Sequence, residues 1–250
     1  MMIESKHVHG LDHNIGTLPE LQGLRPAAII FLGPPGAGKG TQAQQVAKEH
    51  SLPHISTGDV FRTHVSNKTA LGLKASEAMS RGMLVADDLV CNMVAEYIQS
   101  LDHVGCMVLD GFPRSVAQAE WLDRFLRTRT SGMNDLPHSA PIAVQINVER
   151  DQLLRRLSGR RSCSSCGRIY NLHFQPTRND GICDYDGAKL QMRPDDAENV
   201  VRERLTVHEK NTFPLTEYYR RKGQLREIDG NDAVEKVRAA ITRVTRMLTI

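Results

Sequence analysis

The chain has 250 residues, enough for a substantial buried core in one large domain or two small ones. Its apolar content of 40% and charged content of 24% are typical of a globular protein and exclude a disordered chain. The net charge of +3 is too small to indicate a nucleic-acid binder, and no apolar run approaches the ~20 residues of a membrane span.

The first 26 residues lack the continuous apolar segment of a secretory signal. They also contain acidic residues, with Arg25 as their one arginine, which argues against a transit peptide. We therefore interpret residues 1–26 as an N-terminal extension and predict a cytoplasmic protein.

From residue 27 onward, short apolar runs alternate with stretches of helical periodicity. We predict strands at residues 27–32, 52–55, 105–109, 142–147 and 224–228. We predict helices at residues 38–49, 87–99, 115–127, 149–157, 198–212 and 234–248. Parallel strands need crossover connections, so this order predicts an α/β fold with a five-stranded parallel sheet flanked by helices, and ligands at the carboxyl ends of the strands.

Two segments interrupt this alternation. Residues 57–85 have helical spacing, whereas residues 160–195 are rich in Cys, Gly, Asp and Arg and poor in apolar periodicity. Both are interpreted as insertions at the functional edge of the sheet. The Ser-, Gly-, Asn- and Pro-containing residues 128–141 are predicted to form a surface loop.

The strongest single motif is GPPGAGKGT at residues 33–41, between a predicted strand and a predicted helix. Its glycines and lysine match a P-loop, in which backbone N–H groups and the helix N-terminus face phosphate and Lys39 reaches the β- and γ-phosphates. The motif departs from the usual pattern at Gly40, where Ser or Thr normally follows the lysine. Magnesium is therefore expected to be held through phosphate oxygens and water, with Asp110 at the end of the neighbouring strand as its acidic partner.

Three cysteines lie within the second insertion. Cys163-x-x-Cys166 and Cys183-x-x-Asp186 form two closely spaced pairs, which is the pattern of a closed, structural tetrahedral zinc site. His173 competes with Asp186 as the fourth ligand, and a redox pair or free thiols remain the alternative to zinc.

Five motifs occur in the order found in adenylate kinases: GPPGAGKGTQ at 33–42, STGD at 56–59 with Arg62, DGFPR at 110–114 with Gln118, GRR at 159–161 and RPDD at 193–196. From residue 27 to residue 250 the chain resembles the long-form adenylate kinases with a zinc-binding lid. The resemblance implies a P-loop NTPase-type core at residues 27–55, 86–158 and 197–250. It also implies an NMP-binding insertion at residues 56–85 and a zinc lid at residues 159–196.

The same resemblance implies the binding residues. Those expected to bind ATP are Gly36, Gly38, Lys39, Gly40, Thr41, Arg156, Arg160, Tyr170 and Gly230. Those expected to bind AMP are Thr57, Arg62, Val85, Gly111, Arg114, Gln118, Arg193 and Arg204. Lys39 and five arginines, Arg62, Arg114, Arg160, Arg193 and Arg204, are the expected catalytic residues.

The implied reaction is ATP + AMP = 2 ADP, with Mg²⁺ on the ATP and Zn²⁺ in the lid. Phosphoryl transfer depends mainly on positioning and cationic stabilisation, so the expected residue set needs no nucleophile and no general base. The expected partners are ATP, AMP and ADP, without nucleic acid or membrane, and the expected state is a monomer.

Three other interpretations remain at this point. A kinase of UMP/CMP or GMP would share the loop, although Thr57 and Gln118 favour AMP, and GTP could replace ATP as donor. A zinc knuckle that binds nucleic acid would use Arg160, Arg161, Arg168 and Arg178, but the segment has few aromatic residues and several acids. A nucleotide-driven switch would need Ser or Thr directly after Lys39.

Overall fold

A computed structural model describes residues 26–101, 105–130 and 140–246, and the predictions for residues 1–25 and most of the 128–141 loop lie outside them. The strands are β1 (Ala28–Leu32), β2 (His54–Ser56), β3 (Met107–Asp110), β4 (Ile142–Asn147), β5 (Arg160–Cys163), β6 (Ile169–Asn171), β7 (Leu190–Gln191) and β8 (Leu225–Asp229). The helices are α1 (Lys39–Glu49), α2 (Thr57–Ser66), α3 (Ala70–Ser80), α4 (Asp87–Gln99), α5 (Val116–Thr130), α6 (Arg150–Ser158), α7 (Glu198–Val207), α8 (Phe213–Arg221) and α9 (Val234–Thr245).

The main sheet has five strands in the order β2-β3-β1-β4-β8, and all of its pairings are parallel. This confirms the predicted α/β class. All five residues of the central strand β1 are buried, as expected for a parallel strand covered by helices on both faces. Ile30 and Leu32 belong to one apolar cluster and Ile29 and Phe31 to another, so the core consists of two layers separated by the sheet.

The segment predicted as one helical excursion is a pair of helices, α2 and α3. Ser56 and Thr69 cap their N-termini by accepting hydrogen bonds from backbone N–H groups of the first turn. The backbones of the two helices are in direct contact at Gly72. If residue 72 had a side chain, its Cβ would lie only 2.1 Å from the carbonyl oxygen of His64. The two helices are therefore closely packed, and α2 carries Thr57 and Arg62.

The predicted helix at 198–212 is helical throughout, but it is not one α-helix. Helix α7 ends at Val207, a π-helical turn covers His208–Thr212, and α8 follows, where no helix was predicted. Pro214 lies in the first turn of α8, where its missing N–H is tolerated. The π-helical turn before Pro214 has a wider hydrogen-bond spacing than an α-helix. It lets the helical chain continue although proline has no backbone N–H to donate to the carbonyl oxygen four residues earlier.

The second insertion contains a three-stranded antiparallel sheet in the order β6-β5-β7, which was not predicted. These strands have two to four residues and mixed polarity, too short to show an alternating pattern. The buried residues at their centre are Cys163, Tyr170 and Cys183, against which Ala188 and Leu190 pack. In the described parts of the chain, no helix is long and apolar enough to span a membrane.

Candidate active site

The loop after β1 wraps around its own lysine. Lys39 is the first residue of α1, and its Nζ donates to the carbonyl oxygens of Gly33 at 2.8 Å and Pro34 at 3.0 Å. Burial lowers the pKa of Lys39 to about 8; Asp110 opposes this shift, whereas Arg114 and Arg204 reinforce it. A bound anion would relieve the cost of this charge, which is the behaviour expected of a phosphate-binding lysine.

The departure from the usual P-loop at Gly40 has a steric reason. A Cβ at residue 40 would lie 3.1 Å from Oδ2 of Asp110, which is tighter than ordinary contact. The Asp110 carboxylate therefore occupies the space that a Ser or Thr side chain would use. A carboxylate at this point is a suitable oxygen donor for magnesium or for a magnesium-bound water.

A second group of predicted residues lies at the carboxyl end of β3. Thr57 Oγ1 donates to the carbonyl oxygen of Gly111 at 2.9 Å, and Arg114 Nε donates to the same oxygen at 2.8 Å. Gly111 has φ = +76°, and a Cβ there would lie 2.8 Å from Thr57 Oγ1. A side chain at residue 111 would therefore force Thr57 and Arg114 apart.

Two hydrogen bonds that the sequence did not indicate hold the Gln118 side chain. Its Oε1 accepts from the backbone N–H of Arg114 at 2.7 Å, and its Nε2 donates to Asp87 Oδ1 at 2.6 Å. Asp87 also accepts from the Ser115 hydroxyl at 2.6 Å. An acid in the first turn of α4 is common as a helix-dipole partner, so sequence alone could not reveal that Asp87 orients Gln118. The amide keeps one hydrogen and one lone pair for a ligand.

Arginines from two elements, β5 and α7, meet two aspartates of the 3₁₀ turn Pro194–Asp196. Asp196, whose side chain is fully buried, pairs with Arg160. Arg204 lies 2.9 Å from Asp195 Oδ2 and 3.2 Å from Asp196 Oδ1. These bonds tie β5 and α7 together, and no role had been predicted for either aspartate.

Positive charge exceeds negative charge around this cluster. Arg62 pairs with Asp59. Among the described residues, Lys39, Arg114 and Arg193 form no ion pair with a carboxylate. Burial, followed by neighbouring arginines, lowers the pKa of Arg114 and of Arg193 to about 10 each. Half-buried, unneutralised cations of this kind favour polyanionic ligands.

Part of this cationic region lines an open cleft. The predicted residues that line it are Lys39, Thr57, Arg62, Val85, Gly111, Arg114, Gln118 and Arg204. His208, for which no role is expected from the sequence, also lines it. Burial, together with Lys39 and Arg114, lowers the pKa of His208 to about 3, so the imidazole is neutral at pH 7.

The remaining predicted ATP residues lie outside the lining of this cleft. Gly36 and Gly38 have left-handed φ angles of +86° and +92° in the loop, and Gly40 and Thr41 lie in the first turn of α1. Arg156 Nη2 donates to the carbonyl oxygen of Gly230 at 2.7 Å, so these two predicted residues contact each other. The Arg156 guanidinium also lies 6.0 Å from the centroid of the Phe174 ring.

The Tyr170 side chain packs against the cysteines of the second insertion. Its ring is 8% exposed within the cysteine cluster, and its hydroxyl lies 3.3 Å from Cys183 Sγ. The hydroxyl also accepts from the backbone N–H of Asp184 at 3.1 Å. The side chain is therefore directed into the cluster, and the ATP contact of Tyr170 stays a prediction.

Cys163, Cys166, Cys183 and Asp186 lie together, with their ligand atoms all within 4.8 Å of one another. Cys166 Sγ and Cys183 Sγ are 3.7 Å apart, and Cys163 Sγ is 3.3 Å from Asp186 Oδ1. A tetrahedral site with Zn–S bonds of about 2.3 Å has a sulfur–sulfur edge of about 3.8 Å, so these residues fit zinc. His173 is outside the cluster, because its ring lies against Gly159.

The parallel sheet, the glycine loop after its central strand and the cationic cleft define a P-loop nucleotide-binding protein. The family model for adenylate kinase matches residues 31–224. Curated adenylate kinases are similar over most of their length: that of Clostridium acetobutylicum is 46% identical (84% of this chain, 94% of the relative). Those of Clostridium perfringens (88% and 97%) and Carboxydothermus hydrogenoformans (85% and 96%) are each 44% identical.

The chain belongs to the adenylate kinase family. It is therefore a nucleoside monophosphate kinase that transfers phosphoryl groups between adenine nucleotides and uses Mg-ATP. This finding sets aside the nucleic-acid-binding and nucleotide-switch interpretations of the sequence. The identity of the residues that bind each nucleotide, the zinc, the cytoplasmic location and the monomeric state stay predictions.

Proposed function

We propose that the chain catalyses ATP + AMP = 2 ADP by in-line displacement in the cleft between the loop at residues 33–41 and the α2–α3 pair. The observation that supports this proposal is the cationic wall of the cleft, which contains both Lys39 and Arg114. These two cations lie close enough to other cations of the site that the neighbouring positive charges help to lower the pKa of each. A cleft that must bring two polyanions together needs such a surplus of positive charge.

Lys39 is proposed to bind the β- and γ-phosphates of the donor. To do so, Nζ exchanges its bonds to Gly33 and Pro34 for phosphate oxygens. Arg114, together with Arg62, is proposed to bind the phosphate of AMP by forked hydrogen bonds, and Arg62 must leave Asp59 for this. The AMP phosphate is already ionised, so positioning and charge stabilisation supply the catalysis.

Arg160, Arg193 and Arg204 are proposed to stabilise the charge that spreads over the transferred phosphoryl group. In this structure Asp195 and Asp196 fix two of the three. Such prior fixing reduces the reorganisation needed when the transition state forms. Magnesium, when bound with ATP, neutralises phosphate charge, and Asp110 is proposed to accept hydrogen bonds from its water ligands.

Thr57, Val85 and Gln118 are proposed to select adenine in the acceptor. Gln118 retains one amide hydrogen and one acceptor lone pair after its bonds to Arg114 and Asp87, which is the pair of groups that an adenine edge requires. On the donor side, Arg156 and Gly230 are proposed to contact ATP, together with Gly36, Gly38, Gly40 and Thr41 of the loop.

We further propose that residues 56–85 form the NMP-binding part and residues 159–196 a lid over the donor, which exclude water during transfer. Zn²⁺ bound by Cys163, Cys166, Cys183 and Asp186 would give the lid its structure. A closed four-ligand site leaves no position for substrate, so this zinc takes no part in the reaction.

The test of the reaction is ADP formation from Mg-ATP and AMP, followed by ³¹P NMR. ADP formation that requires AMP supports the proposal, and failure to form ADP contradicts it. CMP, UMP and GMP in place of AMP test the acceptor, and GTP in place of ATP tests the donor. Gln118→Glu is the matched variant for adenine selection: its volume is unchanged, but the amide donor is lost. A rate with AMP equal to that of the unsubstituted protein would remove Gln118 from the acceptor site.

A further inference from the structure

The hydroxyl of Tyr170 has two polar neighbours in the second insertion. Its oxygen accepts a hydrogen bond from the backbone N–H of Asp184 at 3.1 Å. It lies 3.3 Å from Cys183 Sγ, and the ring is 8% exposed. The hydroxyl is thus buried at the edge of the cysteine cluster rather than exposed to solvent.

The direction of the second hydrogen bond follows from the inventory of donors. A phenol has one hydrogen, and the Asp184 N–H already donates to its oxygen, so that hydrogen remains for Cys183. A metal-bound cysteine is a thiolate and has no hydrogen to donate. With metal bound, the bond at 3.3 Å therefore runs from the Tyr170 O–H to Cys183 Sγ.

Cys183 differs in this respect from the other cysteines of the cluster. Cys163 Sγ accepts from the backbone N–H groups of Ser165 and Cys166, each at 3.4 Å. Cys183 is the one cluster cysteine to which the described residues supply a hydroxyl. The side chain that makes this contact comes from β6, between the two Cys-containing knuckles in sequence.

We propose that Tyr170 is a positioning residue of the metal cluster: its hydroxyl donates to the Cys183 thiolate, orients that sulfur and stabilises its negative charge. This inference rests on the zinc site of the proposed function. Groups that hydrogen-bond metal ligands commonly change metal affinity by about 10- to 100-fold when they are removed.

The same strand connects the cluster to the nucleotide side of the insertion. Asn171, the next residue, donates from Nδ2 to the carbonyl oxygen of Arg156 at 2.8 Å and pairs with Arg160 in the β5–β6 ladder. Tyr170 and Asn171 thus bond to the metal cluster and to the arginine-bearing backbone respectively. The hydrogen bond between Tyr170 and Cys183 consequently helps to fix β6, the strand whose Asn171 bonds to the backbone of Arg156.

Tyr170→Phe tests the inference, because it keeps the ring in the buried cluster and removes only the hydroxyl. We expect zinc affinity, measured in the full chain by competition with a chromophoric chelator, to fall by about 10-fold. In the cobalt-substituted protein, we expect the thiolate-to-cobalt charge-transfer band to shift to lower energy, since loss of the hydrogen bond raises the energy of the sulfur electrons. A merely structural tyrosine would leave this band unchanged.

Tyr185→Phe is the matched control. Tyr185 lies in the same insertion, is 68% exposed, and stacks under the Arg168 guanidinium at 4.0 Å. This control should keep both the affinity and the cobalt spectrum. Equal zinc affinity and an unshifted band in Tyr170→Phe, in a protein whose unsubstituted form binds zinc, would overturn this inference alone. An unsubstituted protein that binds neither zinc nor cobalt would overturn the zinc site and this inference together.

Discussion

The cleft and the cysteine-containing insertion are built on different physical foundations. The cleft lies on two apolar layers, with the fully buried strand β1 between them. The insertion has a cluster of only three buried residues, and several of its large apolar side chains are exposed, among them Tyr185 at 68% and Phe174 at 50%. Packing of the core positions the cleft, whereas short hairpins and the proposed metal must hold the insertion.

Because of this difference, the residues that determine the reaction rate differ from those that stabilise the insertion. Substitution of side chains in the cleft should lower the reaction rate strongly and the free energy of unfolding only slightly. Loss of metal should instead affect the fold of the insertion and leave the sheet intact. The following predictions test this separation, starting with the largest expected effect.

Lys39→Ala should lower kcat by about 10³-fold or more, because it removes a preorganised cation from the phosphate site. The rate of ADP formation and the thermal unfolding temperature should both be measured. Lys48→Ala, a surface change in the last turn of the same helix, is the control and should keep full activity. A loss below 10-fold in the folded Lys39 variant would contradict the proposed role.

Metal removal should open the insertion but not the core. In hydrogen exchange with a strong chelator present, we expect amide protection in β5 and β6 to fall by at least about 100-fold, since structural zinc contributes about 10 kcal/mol or more to coupled folding. Amides of β1 and β4 should keep their protection. An equal loss of amide protection in the insertion and in the main sheet would show that the two regions unfold together. Unchanged protection in both regions would contradict a structural metal.

Asp196→Asn should destabilise the protein by about 3 kcal/mol, because it leaves two arginines near a buried position without their shared carboxylate. The free energy of urea unfolding measures this. Glu198→Gln removes one side of the exposed pair with Arg202 and should cost no more than about 0.5 kcal/mol. A comparable cost for the two variants would refute a special role for Asp196 in joining β5 to α7.

His208 should make the stability of the cleft depend on pH. Its pKa in the folded protein is lowered to about 3, so between pH 3 and 6.5 the unfolded chain binds a proton that the folded chain does not. The contribution of His208 to the free energy of unfolding is therefore constant above pH 7. It decreases as the pH falls below 6.5, and at pH 5 the free energy of unfolding is lower by about 1 to 2 kcal/mol.

His208→Gln should reduce that loss, measured as the change in unfolding free energy between pH 7 and pH 5. His173→Gln, which alters an exposed histidine of the insertion, should follow the unsubstituted protein. If His208→Gln retains the full pH dependence, another group must be responsible for it.

The sequence predicted the sheet and the loop well because each depends on local patterns. The strand prediction at residues 142–147 matches β4, since a short, mostly apolar segment is typical of a buried strand in a parallel sheet. The glycines of residues 33–41 and the spacing of the cysteines are similarly direct signals, because backbone geometry and ligand distance both depend on spacing along the chain.

Other features depend on contacts that the sequence does not encode locally. Asp87 orients Gln118 across 31 positions, and Asp196 meets Arg160 across 36. The side chain of a tyrosine beside a cysteine motif can face a nucleotide or the cysteines, and only the packing of β6 shows that Tyr170 faces the cysteine cluster. The strands of the insertion and helix α8 were missed because short or proline-containing segments lack a clear period.

The position of β8 at the edge of the sheet has a consequence for the newly made chain. β4 pairs with β1 on one side and with β8 on the other, and β8 is followed only by α9 among the described elements. During synthesis, the backbone N–H and C=O groups along the outer side of β4 thus have no partner until Asp229 has left the ribosome. An unpaired apolar strand edge of this kind favours association with other chains, so the chain carries an added risk of aggregation until β8 has been made.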